Sequence, residues 1–223
     1  MGETDSGKTF TEYSQRESLQ YRAGILAKWI WALFWLVVPS TIAAILKTDQ
    51  VKSLSPGIYL FGQILNVVCT FAYGAILLKL SSVESRYRTA AIYGFISAAV
   101  GILLLIFISV ASKAPAWSLL ITLLGTVFAL IRDYNEYSAH AFVLRGADDE
   151  LSAKWTALWK WSMRCMLGLI GGLVLALVAP ILALILCGVA SIGLSIVSVA
   201  KLVYLHRTAM VFKEYSADRF SSK

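Results

Sequence analysis

The chain has 223 residues, of which 58% are hydrophobic and 15% charged, and its mean hydropathy is +0.72. Water-soluble domains are about 45–50% apolar, so this composition excludes an ordinary soluble globular protein and predicts an all-α integral membrane protein. The net charge of +7 is divided among several short segments rather than gathered in one patch, which argues against nucleic acid as a partner and favours a lipid bilayer.

The N-terminal segment, residues 1–22, is polar and of mixed charge, without the apolar core and cleavage site of a signal peptide. We predict that it is a disordered cytoplasmic tail. Residues 23–223 are predicted to form a single transmembrane domain, because about 20 apolar residues suffice for each crossing helix. Six helices, arranged as three hairpins, are expected at about 24–46, 57–80, 89–111, 115–131, 165–186 and 188–205.

The fifth and sixth spans form one continuous apolar run, so their separation depends on length. A single helix from Met163 to Leu205 would be far longer than the hydrocarbon layer is thick. We therefore predict that the chain turns back at Cys187-Gly188 and that Pro180 kinks the fifth span.

Orientation follows from the lysines and arginines. Of the 20 basic residues, only Lys47, Lys52 and Lys113 fall on the side opposite the termini. The positive-inside rule then predicts a multi-pass protein of the cell membrane with both termini in the cytoplasm, including a tail at residues 206–223.

Short similar strings stand at the ends of the predicted hairpins. They begin at Arg88, Tyr137 and Arg207, and each contains small residues followed by an aromatic one. Such strings are typical of proteins that grew by duplication, although strings this short also arise by chance.

The longest cytoplasmic segment, residues 132–164, is predicted to be helical. Arg132, Glu136 and His140 share one helix face, which we interpret as a solvated charged stripe. Beyond Gly146, capping by Asp148 or Asp149 predicts an amphipathic helix that lies in the headgroup layer before the fifth span. Tryptophans and an arginine are expected as interface anchors, namely Trp29, Trp155, Trp159, Trp161 and Arg164.

Deep polar residues follow one face of the second span. They recur at helical spacing, namely Tyr59, Gln63, Asn66, Thr70 and Tyr73. Amides in hydrocarbon must find hydrogen-bond partners, so this face meets either other helices or a ligand. Both interpretations stay open, and the second makes these five residues candidate ligand-binding residues.

No catalytic motif, metal-ligand spacing or cofactor fingerprint occurs, and the three cysteines are scattered. We therefore expect no enzyme activity, no catalytic residues, no metal and no cofactor. Charged residues fall near span ends, which argues against a proton relay. The sequence favours a membrane scaffold or accessory subunit that contacts a protein partner, or forms a homo-oligomer, through its cytoplasmic helices. The alternative is a binding or transport component for a small uncharged or zwitterionic solute.

Overall fold

The structure is a computed structural model. It describes the backbone of residues 6–110, 115–176 and 178–221, and the side chains of residues 22–48, 50–103, 121, 124–176 and 178–217. Every regular element in these ranges is an α-helix, which confirms the predicted all-α class. The helices are α1 (Ser6–Leu46), α2 (Asp49–Leu54), α3 (Pro56–Leu80), α4 (Ser85–Val110), α5 (Pro115–Leu144), α6 (Asp149–Leu175) and α7 (Pro180–Ser221).

The six long helices pack in a ring. Each contacts the next long helix along the chain, and α1 closes the ring by packing against α7. The short helix α2 lies against α3. Neighbours pack along much of their length, as between α6 and α7, where Gly168 lies against Ala190 and Trp155 bonds to Thr208.

Four helical stretches within the described residues are long and apolar enough to cross a membrane, and they are Arg22–Leu46, Pro56–Leu80, Asp149–Leu175 and Pro180–Ala217. Their outward faces carry exposed leucine, isoleucine and valine side chains, as expected for contact with lipid. The protein is therefore suited to embedding in a membrane. The third and fourth predicted spans fall in α4 and α5 and stay predictions, and Ala111 lies outside the described residues.

The tightest packing is at one end of the ring, where residues 81–84 connect α3 to α4 and residues 145–148 connect α5 to α6. We call this the basal end. The three similar strings lie here, and each supplies small buried residues, such as Ala91, Ala139 and Ala209. Small side chains let helices approach closely, so packing gives a physical reason for the likeness of the strings.

The last turn differs from the prediction. Helix α6 ends at Leu175 and α7 begins at Pro180, and both Cys187 and Gly188 lie inside α7. Pro180 begins α7 instead of kinking a span, because its missing N–H and fixed φ suit the first turn of a helix. Cys187 packs against Gly172, where a Cβ would come within 2.5 Å of the sulfur. The predicted fifth and sixth spans, 165–186 and 188–205, are therefore wrong in their boundaries.

The predicted interfacial helix is not a separate element. Asp148 caps α6 as expected, accepting the Leu151 N–H at 2.8 Å, but the helix then continues without a break to Leu175. Packing of its first turns against α5 and α7 holds them in line with the rest of the helix. The segment 132–164 is thus the end of α5, a turn and the first half of α6.

Both chain ends are more helical than predicted. Helix α1 begins at Ser6, whereas we predicted disorder over residues 1–22, and α7 continues through the predicted tail to Ser221. Helices α1 and α7 pack against each other, for example where the rings of Trp31 and His206 lie 5.5 Å apart. Residues 1–5 and 222–223 lie outside the described residues.

Gly62 allows α3 to approach the end of α1 closely. A Cβ there would lie 2.6 Å from Leu46 Cβ and 2.9 Å from the Leu46 carbonyl carbon. We expect Gly62→Ala to lower the free energy of unfolding by about 1–3 kcal/mol, because backbone must move. The matched change Gly188→Ala meets no described atom within 4 Å and should be neutral or stabilise by up to about 1 kcal/mol. Equal effects in detergent unfolding titrations would contradict this packing.

Candidate functional site: a buried charged centre beside a polar cavity

A carboxylate lies in the interior of the ring. Glu136 on α5 is 0% exposed, and its Oε1 accepts hydrogen bonds from Tyr73 on α3 and from Lys201 Nζ on α7 at 2.7 Å. The ammonium also lies 5.4 Å from the ring centroid of Tyr73 and 5.2 Å from that of Tyr137. Three helices therefore meet at one ion pair, in which the Glu136 carboxylate is buried and the Lys201 side chain is 22% exposed.

His140 extends this centre one helical turn toward the basal end. It is 0% exposed, its Nδ1 lies 2.9 Å from the Tyr87 hydroxyl, and its ring stacks on Trp155 with centroids 4.5 Å apart. Trp155 Nε1 donates to Thr208 Oγ1 at 3.1 Å, and Thr208 donates in turn to the Tyr204 carbonyl at 2.7 Å. Residues from four helices thus fix the imidazole in one plane.

Two polar atoms of this centre are unpaired. Within the part of the chain that the structure describes, Glu136 Oε2 and His140 Nε2 are buried and have no hydrogen-bond partner. His140 Nε2 lies 3.8 Å from Glu136 Oε1, too far for a direct hydrogen bond. Buried polar groups are nearly always paired, so this gap marks a place where a proton, a water molecule or a small movement completes the network.

Burial and neighbouring charges act differently on the pKa values of Glu136 and His140. Both residues lie beyond the predicted fourth span. Burial opposes ionisation of Glu136, but the Lys201 ammonium outweighs it and holds the carboxyl pKa below its usual value. Burial lowers the pKa of His140, and the neighbouring Glu136 charge offsets this only in part. The two directions favour an ionised Glu136 and a neutral His140.

A cavity of about 460 Å³ adjoins this centre between α3, α4 and α5. Its polar lining residues are Lys47, Gln63, Asn66, Thr70, Ser97 and Arg132. Arg132 connects the two sites, because it precedes Glu136 by one turn of α5 and also bonds to Asp133 at 2.7 Å. Lys47 donates to Asn66 Oδ1 at 3.3 Å from the end of α1. The volume is within the range of about 300–1,000 Å³ found for small-molecule sites.

The predicted polar face of α3 is divided between these sites. Gln63, Asn66 and Thr70 line the cavity, whereas Tyr73 belongs to the buried charged centre. Tyr59 lies nearer the helix start, with its ring 5.5 Å from Lys52 Nζ. Sequence spacing therefore placed three of five candidates at one cavity. Whether these residues bind a ligand stays a prediction.

The expected membrane anchors also separate into groups. Trp155 is wrong as an anchor, because the ring lies in the basal core and not at a lipid interface. Trp161 is 59% exposed, with the Arg164 guanidinium 5.5 Å from its ring centroid. Trp159 and Trp29 are half-buried. For these four residues the anchor role stays a prediction.

The sequence interpretation missed the charged centre. We interpreted Arg132, Glu136 and His140 as a solvated stripe, but Glu136 and His140 are 0% exposed. The buried alanines on both sides of His140 were the available signal, since small apolar residues beside a charged stripe indicate helix packing. Lys201 within an otherwise apolar run was a second signal, because such a charge needs a partner.

Among the described residues, no group of three or more His, Cys, Asp or Glu side chains is arranged to hold a metal ion. The chemistry that the site can offer is hydrogen bonding, charge pairing and proton exchange. Comparisons with protein families, with curated proteins and with solved structures gave no match for this chain.

Proposed function

We propose that this protein is a six-span membrane component, with both termini and the basal end in the cytoplasm, that binds a small polar solute bearing a carboxylate. The solute is held in the cavity between α3, α4 and α5. The observation that carries the proposal is the convergence of Arg132 with the α3 amides on one cavity of about 460 Å³.

The lining favours an anionic group on the solute. Arg132 and Lys47 are both cationic, and no Asp or Glu is among the residues that line the cavity in the described part of the chain. Guanidinium and ammonium groups bind carboxylates through charge-assisted hydrogen bonds. The ammonium of a zwitterion would have no acidic partner among the described lining residues, so the proposal replaces the uncharged or zwitterionic solute, which was the alternative from the sequence, with an anionic one.

The amides supply recognition of the remaining polar atoms. Gln63 and Asn66 each carry donors and acceptors, and Thr70 already donates to the Asn66 carbonyl at 2.8 Å. In a low-dielectric site, unpaired amides cost free energy, which a solute with matching groups would recover. The cavity therefore selects by charge at Arg132 and by hydrogen bonding along α3.

Succinate is a suitable probe because it carries two carboxylates for the two lining cations. We expect it to bind the purified chain in nanodiscs, measured by equilibrium dialysis, and dimethyl succinate to bind at least about tenfold more weakly. The double variant Gln63→Leu/Asn66→Leu should lose at least about tenfold in affinity while its circular dichroism and melting stay unchanged.

The matched control is Ser191→Ala/Ser195→Ala, which changes two exposed polar residues of α7 away from the cavity. It should bind succinate like the parent chain. Succinate binding that is absent from the parent chain, or unchanged in the leucine variant, would contradict the proposal.

A scaffold is the second candidate function. At the basal end, Phe142 is 43% exposed and has the guanidinium groups of Arg86 and Arg145 at 5.2 and 5.5 Å from its ring centroid. Aromatic and arginine side chains are enriched at protein interfaces. If the leucine variant lost a co-purifying protein or its fold instead of succinate affinity, the scaffold would be favoured.

A further inference from the structure

We propose that the groove between α1 and α7 binds one anionic phospholipid, with acyl chain in its apolar part and the phosphate against basic side chains nearer the basal end. The inference goes beyond the solute-binding proposal and uses none of its residues. It starts from two cavities along the contact of α1 with α7, of about 780 and 360 Å³. Both lie apart from the buried charged centre and from the cavity between α3, α4 and α5.

The larger cavity is lined mainly by apolar side chains of both helices, among them Phe34, Trp35, Val38, Val199, Leu202 and Val203. Trp35, Val38 and Val203 are 55%, 52% and 48% exposed, so the cavity is an open groove and not an enclosed space. Both helices are long and apolar enough to cross a membrane. In a bilayer, the opening would therefore meet acyl chains.

The smaller cavity continues this groove toward the basal end and is basic. Lys28 and Lys213 line it, and Arg207 and His206 line the adjoining part of the larger cavity. The two cavities meet at an aromatic contact, because Trp31 lines the smaller one and its ring centroid lies 5.5 Å from that of His206. An apolar groove that continues into a basic one matches the two parts of an anionic phospholipid.

The basic side chains of the groove lack acidic partners. No Asp or Glu lines either cavity in the described part of the chain, and Lys28, Arg207 and Lys213 form no ion pair with a described residue. Glu150 is within electrostatic reach of Arg207 but is paired with Lys154. Lysine and arginine near a membrane surface attract anionic headgroups, so the groove favours an anionic lipid over a zwitterionic one.

A second copy of this chain suits the groove less well than a lipid. In the two-fold symmetric dimers that are commonest, the same surface of each copy meets its equivalent. Two grooves would then bring their basic side chains together without acidic residues between them. Charge therefore favours the lipid as the occupant.

Native mass spectrometry of the full chain in detergent would test the site, with dioleoyl phosphatidylglycerol and dioleoyl phosphatidylcholine as probes. We expect one phosphatidylglycerol to bind at least about tenfold more tightly than phosphatidylcholine. Lys28→Gln/Arg207→Gln should remove most of this preference. The matched control is Lys79→Gln/Arg88→Gln, which removes two exposed basic residues of the basal end outside the groove and should keep the preference.

The apolar part is tested by Val203→Trp, which adds a ring to the groove without changing its charge. It should weaken phosphatidylglycerol binding by at least about fivefold. Leu184→Trp is the matched control, because Leu184 is 76% exposed on the same helix outside the groove, and it should bind like the parent chain. All four substituted positions of the two tests are exposed in the described structure, or nearly half exposed in the case of Val203, so circular dichroism should show an unchanged fold.

Equal affinity of the parent chain for the two lipids would overturn the inference, as would a preference that survives Lys28→Gln/Arg207→Gln or a Val203→Trp variant that binds like the parent. Displacement of the lipid by glycerol 3-phosphate would also overturn it, because the basic side chains would then bind a soluble phosphate. A dimer in place of the lipid adduct would do the same. Succinate binding should be the same in Lys28→Gln/Arg207→Gln and the parent, so either proposal can fail without the other.

Discussion

Replacing Lys201 with methionine should lower the free energy of unfolding by about 3–5 kcal/mol, because it leaves a buried carboxylate without its cation. The Lys201 ammonium lies 2.7 Å from Glu136 Oε1, and Glu136 is fully enclosed. Methionine nearly matches the lysine stem in shape, so the variant removes charge more than packing. Unfolding of the purified chain by detergent titration in mixed micelles would measure the loss.

The control for this prediction is Lys213→Met, which removes an exposed lysine from the same helix and should change stability by less than about 0.5 kcal/mol. The double variant Glu136→Gln/Lys201→Met should be more stable than Lys201→Met alone, because it no longer buries an unpaired charge. If Lys201→Met and Lys213→Met proved equally mild, or if the double variant proved the weakest, the ion pair would not hold these helices together.

Features that depend on neighbouring residues in the chain could be predicted from the sequence, whereas the ion pair between Glu136 and Lys201 could not. The presence of long apolar helices was predictable, because apolar runs are local features with a known length requirement. The cap at Asp148 was predictable for the same reason, since a cap depends on residues within one turn. In contrast, Glu136 and Lys201 are far apart in the chain, and nothing in the local sequence around either residue identifies the other.

Our wrong interpretation of one face of α5 as solvated has the same cause, because burial of that face depends on residues far away in the chain. Helical spacing correctly placed Arg132, Glu136 and His140 on one face, but it does not say whether that face meets water or other helices. The length of α7 explains why this face is buried. The helix continues past Leu205 and covers the end of the bundle that we expected to be solvated. The same continuation brings Thr208 beside Trp155.

The predicted turn at Cys187-Gly188 failed for a related reason. Composition allowed a break at either site in the apolar run, and we chose the small residues over Pro180. Glycine inside a membrane helix often serves close packing, and Gly168, Gly172 and Gly193 all approach side chains across the α6–α7 contact. Proline at a helix start was the stronger signal.

Trp155 and Trp161 show most clearly that local sequence does not reveal burial. Both belong to one tryptophan-rich stretch, yet Trp155 is 0% exposed and Trp161 is 59% exposed. Trp155→Ala should lower the free energy of unfolding by about 3–5 kcal/mol, because it removes a fully buried ring that contacts His140 and Thr208 and leaves a cavity. Trp161→Ala should change it by less than about 0.5 kcal/mol in the same titration.

Trp155→Phe separates the two contributions of the buried ring. It keeps an aromatic ring against His140 but removes the Nε1 donor to Thr208, so we expect an intermediate loss of about 1–3 kcal/mol. Thr208 still donates to the Tyr204 carbonyl in that variant. The loss of stability therefore comes from one hydrogen bond and from the smaller size of the phenylalanine ring. Equal losses for Trp155→Ala and Trp161→Ala would mean that both rings face lipid, and the enclosed environment inferred for His140 would then be wrong as well.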